Sequence, residues 1–379
     1  MSEYQYYEFQ AIGRPLTEKE MGELRLVSSR ARITPTSFVN DYAWGDFKGN
    51  ADAWMEKYFD AFLYLANWGT HRLQLRLSAR LLDLDAAQAY CGGGSASARG
   101  KAGNVILSFV SDDEEGGEWV EGEGHLSSLI AVRGELAGGD LRALYLGWLL
   151  RAQAGELDDE EIEPPVPAGL GNLSASLGAL AEFLRIDRDL LHVAARASAP
   201  QEDARPKHEE VRAWVAGLST KDKDDVLTRL IVDRDQALIM ELLQRFRQER
   251  AGRDAAEPVA RRTVRELERA AEAYTEERRR IEAERCAEEK ARAERDAAIA
   301  REKHLDEIAG HEPRLWAEAG ALIATKHPQS YDRAVRLLVD LRDLDARTKA
   351  NDFRQRLEAL RLAHARKPTF IRRLTKAGL

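Results

Sequence analysis

The chain has 379 residues, of which 44% are hydrophobic, and a formal net charge of -8 at pH 7. That length is sufficient for two or three domains that each bury a core. The negative charge argues against a protein that coats nucleic acid uniformly. Neither an apolar run of about 18 residues nor a signal-peptide pattern occurs, which predicts a cytoplasmic protein that does not enter the membrane.

Cysteine and histidine are sparse and scattered. Cys91 and Cys286 are the two cysteines and lie far apart in the sequence. They predict neither a disulfide framework nor a cysteine-based zinc site, and a reducing compartment fits. The histidines do not form the spacing of a metal site, so we expect no metal and no cofactor. His71 is in phase with the leucines of its segment, which predicts a buried histidine with its hydrogen bonds satisfied.

The N-terminus predicts strands and short helices in mixed order. Of the 27 aromatic residues, 14 fall within the first 70 positions. The segments Tyr4–Ile12 and Pro35–Tyr42 have strand character, and Thr17 with Glu20 has the spacing of a helix capping box. A short helix from about Ala51 leads into the apolar run "FDAFLYLANWG".

Two further strands are predicted on either side of a glycine-rich stretch. "HRLQLRLS" alternates, with Leu73, Leu75 and Leu77 on one face and Arg72, Gln74 and Arg76 on the other. "CGGGSASARGKAGN" predicts a flexible loop before the strand Asn104–Val110. The acidic "SDDEEGGEWVEGEG" predicts a solvated loop or hairpin tip. Together these patterns indicate an α+β domain with a mostly antiparallel sheet.

Beyond Leu126 the pattern becomes helical, and the whole chain is predicted to be predominantly helical. We predict an aromatic-rich α+β domain, an acidic and proline-rich linker, a small all-α region, a long charged helix and a C-terminal helical hairpin that acts as a docking module. These segments are residues 1–155, 156–169, 170–250, 256–310 and 313–379.

The long charged helix has 27 charged residues among the 50 from Arg261 to Gly310. Opposite charges four positions apart stabilise a helix without tertiary contacts. Leu267, Tyr274 and Ile281 keep a seven-residue step, but mainly alanine follows, so a coiled coil is only partly indicated. A solvated single helix and a homodimer through 256–310 both remain open.

The C-terminal tail is basic on an acidic protein. Between Lys349 and Leu379 nine lysines or arginines stand against two acids. Such a cluster can contact phosphates or an acidic protein surface. Among residues 361–376, Phe370 is the one aromatic residue that a base could stack on. The candidate binding residues are Arg361, Arg366, Lys367, Arg372, Arg373 and Lys376.

The C-terminal segment resembles the C-terminal extension of some bacterial SWIM-type zinc-finger proteins over about 65 residues. The matching positions are Tyr331, Ala334, Leu337, Leu338, Asp340, Leu341, Phe353, Leu357, His364, Lys367, Pro368, Arg373, Leu374 and the terminal Ala-Gly-Leu. The resemblance implies a helical end module that docks on partners. A SWIM finger binds zinc through three cysteines and a histidine, which this chain lacks. "YYEFQAIGRPLT" and "WGDFKG" resemble an uncharacterised bacterial protein family, which implies no activity.

Two segments have features of catalytic loops. "SASARGKA" has some of the residues of a phosphate-binding loop, but a strand rather than a helix is predicted to follow it. In "YAWGDFKGN" we favour a structural turn in which glycines supply the backbone geometry and aromatic side chains anchor the loop. The alternatives are a partner-binding surface formed by Trp44, Asp46, Phe47 and Lys48, or an acid–base pair formed by Asp46 and Lys48.

No catalytic constellation is evident, so the sequence favours a non-enzymatic adaptor or scaffold in a bacterial multiprotein assembly. Its predicted partner is another protein, bound by the C-terminal module. The alternative is a nucleic-acid-associated accessory protein that uses the basic tail. A third hypothesis is an enzyme whose site is assembled from residues far apart in the sequence.

Overall fold

The structure, a computed structural model, describes residues 4–43, 45, 47–113, 122–200, 207–233, 238–251, 261–349 and 351–379. The chain divides into two compact units, Met1–Glu277 and Arg278–Leu379. The predicted division into five segments is finer than this and stays a prediction.

The N-terminal unit is built on an antiparallel sheet, as the sequence predicts. Its strands are β1 Gln5–Gln10, β2 Arg32–Thr34, β3 Ser37–Tyr42, β4 Ala61–Ala66, β5 His71–Ser78, β6 Ala96–Lys101 and β7 Asn104–Ser111. Their order in the sheet is β2-β3-β1-β4-β5-β7-β6. Every described pairing is antiparallel.

The alternation of β5 is confirmed and divides the two faces of the sheet. Leu73, Leu75 and Leu77 are buried in the larger of the two hydrophobic clusters on the sheet, whereas Arg72 and Gln74 lie on the opposite face because successive side chains of a strand point in opposite directions. The same rule places Leu63 in the larger cluster and its neighbour Phe62 in a smaller aromatic cluster. The central strand β4 is therefore buried on both faces.

The strand β6 corrects the prediction of a flexible loop. Residues Ala96–Lys101 pair along their whole length with β7, from Ala96 opposite Phe109 to Lys101 opposite Asn104. Alanine, serine and glycine have low strand propensity, so the sequence gives little local signal. The hairpin is stabilised by pairing with β7, an apolar strand in which Val105, Leu107 and Phe109 are fully buried.

The helices of the N-terminal unit cover both faces of the sheet. They are α1 Glu18–Val27, α2 Ala51–Lys57, α3 Leu84–Gln88, α4 His125–Leu129, α5 Ala131–Ala137, α6 Arg142–Gln153, α7 Ala175–Phe183, α8 Arg188–Ala195, α9 His208–Gly217, α10 Thr220–Thr228, a π-helix Arg229–Asp233 and α11 Leu238–Ala251. The predicted capping box of α1 is formed by Thr17 and Glu20. Residues of α1 and α2 pack in the aromatic cluster, and residues of α4 to α8 pack in the larger cluster.

The long charged helix is confirmed as α12, Val264–Ile308. Its first turns bury Val264, Leu267 and Ala271 in the larger cluster of the N-terminal unit. The stretch 281–300 is exposed throughout, and ion pairs such as Arg278–Glu282 and Arg285–Glu289 lie along its surface. Exposed pairs of this kind each stabilise a helix by about 0.3–0.5 kcal/mol.

The C-terminal unit contains residues 278–308 of α12 and four further helices, α13 Glu312–Ala324, α14 Pro328–Thr348, α15 Phe353–Ala363 and α16 Pro368–Lys376. It has its own hydrophobic cluster, which includes Ile323, Leu338 and Phe370. Arg301 of α12 pairs with Asp340 and Asp343 of α14. None of the described helices combines the length and apolar character needed to cross a membrane.

Candidate functional site: a groove on the basic C-terminal tail

The aromatic turn near residue 45 packs onto the N-terminal unit. Gly45 has φ +81°, a backbone conformation that favours glycine, and its carbonyl accepts a hydrogen bond from Gln5 Nε2 at 3.1 Å. The ring of Phe47 lies 4.9 Å from those of Tyr7 and Trp54. These contacts fit the structural turn that the sequence favours.

The structure describes two of the four candidate binding residues of this turn. Trp44 and Asp46 lie outside the described residues. Phe47 is half-buried against the aromatic cluster, and Lys48 is exposed. A partner-binding role for this set stays a prediction.

The glycine-rich loop before β6 surrounds a carboxylate from the same chain. Glu156 accepts hydrogen bonds from the backbone N–H of Gly94 at 3.0 Å and from the N–H and Oγ of Ser95, both at 2.6 Å. A Cβ on Gly93 would lie 2.1 Å from Glu156 Oε2, so glycine is needed for the carboxylate to approach. Of the segment that resembles a phosphate-binding loop, the amide of Ser95 is therefore occupied by Glu156, and Ala96–Lys101 form the strand β6 instead of a loop around a ligand.

His71 is buried with both ring nitrogens paired, as predicted. Nδ1 lies 2.7 Å from the carbonyl oxygen of Phe183, and Nε2 lies 2.9 Å from Nη2 of Arg185. The imidazole therefore donates from Nδ1 and accepts at Nε2, which is the neutral form. Burial, assisted by the positive charge of Arg185, lowers the pKa of His71 to about 4. The histidine joins β5 to the end of α7 and has no ring nitrogen left for a ligand.

The ionisable groups beside α2 are paired with one another on the face of the sheet that also carries the aromatic cluster. Asp52 Oδ1 accepts from Arg72 Nη2 at 2.8 Å and from Gln74 Nε2 at 2.7 Å. Arg99 contacts both Asp52 and Glu56. Burial opposes ionisation of Asp52, but the hydrogen bond from Gln74 and the two arginine charges lower its pKa. This pairing neutralises the arginines of the sheet.

A second buried polar cluster joins the acidic, proline-rich segment to the start of α12. Tyr145 Oη donates a hydrogen bond to Glu163, which is 2% exposed, and Arg262 donates to both oxygens of the same carboxylate. Burial and the nearby charge of Glu163 raise the pKa of Tyr145. Among the described residues no group of three or more His, Cys, Asp or Glu side chains is arranged to hold a metal ion.

A wide groove of about 690 Å³ lies among α9, α10 and α11. The rings of Trp214 and Phe246 meet edge to face at 5.7 Å in its wall. Trp214 Nε1 donates to Glu249, and Arg245 pairs with Asp222 and Glu249. The charged groups in the wall are thus largely paired with one another, which gives little indication of what the groove binds.

The six basic residues predicted on the tail fall into two groups. Lys367 Nζ donates to the carbonyl of Ile323 at 2.8 Å, and Arg373 pairs with Asp332 and donates to the carbonyl of Pro328. These two residues hold the module together. The other four are exposed and form no hydrogen bond or ion pair with any residue that the structure describes. They are Arg361, Arg366, Arg372 and Lys376.

A shallow groove of about 450 Å³ lies between α15 and α16, among the exposed basic residues. It is lined by Glu358, Arg361, Leu362, Ala365 and Ile371. Leu362 is 80% exposed, an unusual amount for a leucine in a packed helical unit. The lining is mainly apolar, with Glu358 and Arg361 as its charged side chains. We refer to Arg361 and to Arg366 and Arg372, which directly follow two lining residues, as the basic border of the groove.

The apolar part of this groove was not among the predicted site residues, although a signal for it is present in the sequence. Phe353, Leu357 and Leu360 follow the period of the buried face of α15, and Leu362 falls out of that phase. An apolar residue out of phase on an amphipathic helix is a candidate surface contact. Ile371 adjoins the buried Phe370 on α16, so its part in the groove follows only from helix packing.

No family model, no curated protein and no solved structure matches this chain. A function therefore has to be inferred from the geometry of the described residues.

Proposed function

We propose that the protein is a non-enzymatic adaptor or scaffold in a bacterial multiprotein assembly, and that its C-terminal unit binds another protein. The observation that carries the proposal is the groove between α15 and α16, in which Leu362 is 80% exposed beside unpaired basic side chains. Exposed apolar side chains with a polar border are typical of protein-binding surfaces.

The helix α16 is packed into the hydrophobic cluster of the C-terminal unit, which favours binding at the groove. Phe370 and Leu374 of α16 are fully buried beneath it, and Lys367 and Arg373 connect α16 to α13 and to the start of α14. A surface that is held in place before binding loses less conformational entropy when a partner docks. The proposed docking face therefore needs no rearrangement of its supporting helices.

A nucleic-acid-associated accessory protein remains the second candidate, because four basic side chains of the tail have no partner in the described part of the chain. They would contact phosphates and give binding that weakens steeply with salt. Phe370 cannot serve as a platform for base stacking, because it is fully buried. The tail would then bind duplex DNA or RNA without reading its sequence.

The test is capture of partners by the tagged full-length chain and by a truncation that ends at Glu277. That end point removes the C-terminal unit as a whole, whereas ending at residue 312 would leave Arg301 of α12 without Asp340 and Asp343 of α14. We expect proteins that survive nuclease treatment to be lost with the truncation. Hydrogen exchange of β1 to β7 serves as the control for an intact sheet.

Capture that is unchanged by the truncation would contradict the adaptor proposal. Capture that disappears on nuclease treatment would favour the nucleic-acid candidate.

A further inference from the structure

We infer that the groove between α15 and α16 binds an acidic amphipathic helix of a partner protein. The inference rests on the proposed adaptor function and adds the chemistry of the partner. The groove is defined by Glu358, Arg361, Leu362, Ala365 and Ile371, and its apolar side chains require apolar anchors on the ligand.

The charge around the groove selects an acidic ligand. Arg361 lines the groove, and Arg366 and Arg372 directly follow the lining residues Ala365 and Ile371. Neither these arginines nor Lys376, one helical turn after Arg372, has a counter-ion among the described residues. Glu358 is the one acid of the lining. Complementary charges accelerate association and fix the orientation of a ligand.

The helical structure of the C-terminal unit favours a helical ligand. The described part of Arg278–Leu379 is entirely helices and their connections, so it presents no strand edge with which an extended peptide could pair. A helix satisfies its own backbone hydrogen bonds and needs only side-chain contacts from a groove. The ligand is therefore expected to carry apolar residues at i, i+3, i+4 and i+7 on one face and carboxylates on its flanks.

The experiment measures binding of a synthetic peptide of about 18 residues to the full-length protein, by fluorescence anisotropy at low and at physiological salt. The peptide has leucines at the helical spacing and glutamates elsewhere. Two control peptides replace every glutamate with glutamine or with lysine. We expect the glutamate peptide to bind, to gain helical circular dichroism on binding and to weaken with added salt, and the lysine peptide not to bind.

Surface variants locate the binding to the groove without disturbing the core. Leu362→Ser removes the exposed apolar contact, and the double variant R361E/R366E reverses the charge of the border. Each is expected to weaken binding about tenfold or more, and the double variant should also flatten the salt dependence. Arg314→Glu is the matched control, because Arg314 is an exposed arginine of α13 outside the groove, and it should leave binding unchanged.

Equal affinity of the peptide for all of these variants would overturn the inference, as would failure of the peptide to bind. Direct binding of an arbitrary DNA duplex, together with no peptide binding, would assign the border to nucleic acid instead. Failure of the inference is distinguishable from failure of the adaptor proposal. If the inference alone is wrong, removal of Arg278–Leu379 still abolishes capture of native proteins. If the adaptor proposal is wrong, that removal has no effect on capture.

Discussion

Whether a polar side chain of this protein is paired or exposed depends on the groups that tertiary packing places beside it. Lys367 and Arg373 are used to hold helices together, whereas Arg361 and Arg372 are exposed without partners. In the sequence these four residues belong to one basic tail. Their spacing along the chain shows where the charges lie, but not which carbonyl or carboxylate lies opposite each of them. His71 is a further example, since its two partners, Phe183 and Arg185, are more than 100 residues away.

At the residue scale, we expect the buried, neutral His71 to make the folded protein less stable at acidic pH. Its pKa is about 4 in the folded protein and 6.5 as the ordinary value, so the unfolded chain binds the proton first. The free energy of unfolding therefore decreases as the pH falls from about 6.5 to about 4. Below about pH 4 this group causes no further change. The full loss is about 3 kcal/mol.

The measurement is urea unfolding of the wild type and of His71→Gln at several pH values across that window. Glutamine keeps a donor and an acceptor but does not titrate. The difference in unfolding free energy between the two proteins should change with pH in the window. A difference that is constant with pH would show that His71 is not buried in its neutral form.

At the element scale, the strand β6 and the loop before it show how one interaction organises a segment with little local preference. The loop has no side chains large enough to hold it in place, and the carboxylate of Glu156 supplies the contact instead. The helix α12 is the opposite case, because its charge pattern is sufficient to specify a helix wherever it lies. A homodimer through this helix stays a prediction, which analytical ultracentrifugation can test.

Glu156→Ala should destabilise the N-terminal unit by about 1–2 kcal/mol, because it leaves two backbone amides and the hydroxyl of Ser95 without their acceptor. The expected change is a lower midpoint in denaturant, with faster hydrogen exchange of β6. Glu182→Ala is the control, since Glu182 is exposed on α7, and it should stay within about 0.5 kcal/mol of the wild type. Equal midpoints for the two variants would contradict the role assigned to Glu156.

At the scale of the whole molecule, two compact units with separate hydrophobic clusters predict separate responses to core substitutions. Phe370 is fully buried in the cluster of the C-terminal unit, and Phe59 is fully buried in the aromatic cluster of the N-terminal unit. Alanine at either position removes a ring and leaves a cavity, which costs about 3–5 kcal/mol.

Phe370→Ala should accelerate hydrogen exchange in α13 to α16 while β1 to β7 keep their protection, and Phe59→Ala should do the reverse. Mass spectrometry of peptic fragments measures both variants. Loss of protection across both units in either variant would indicate that the whole chain unfolds as one cooperative body.

The elements with a strong local pattern could be predicted from the amino-acid sequence alone. They are the alternating strand β5, the capping box of α1, the charged helix α12 and the helices of the C-terminal unit. Hydrophobic period, capping chemistry and charge spacing act over a few residues, so a linear pattern contains them. The mostly antiparallel sheet also followed, from the mixed order of strands and helices.

The remaining features depend on contacts between distant parts of the chain. The strand β6, the partner of Glu156 and the division of the basic tail depend on groups that are distant in the sequence. The groove at Leu362 exists because α15 and α16 bury Phe353, Leu357 and Phe370 and thereby turn Leu362 outward. Burial and long-range hydrogen bonds are properties of neighbours in space, and they determined which of the predicted residues remain available to a partner.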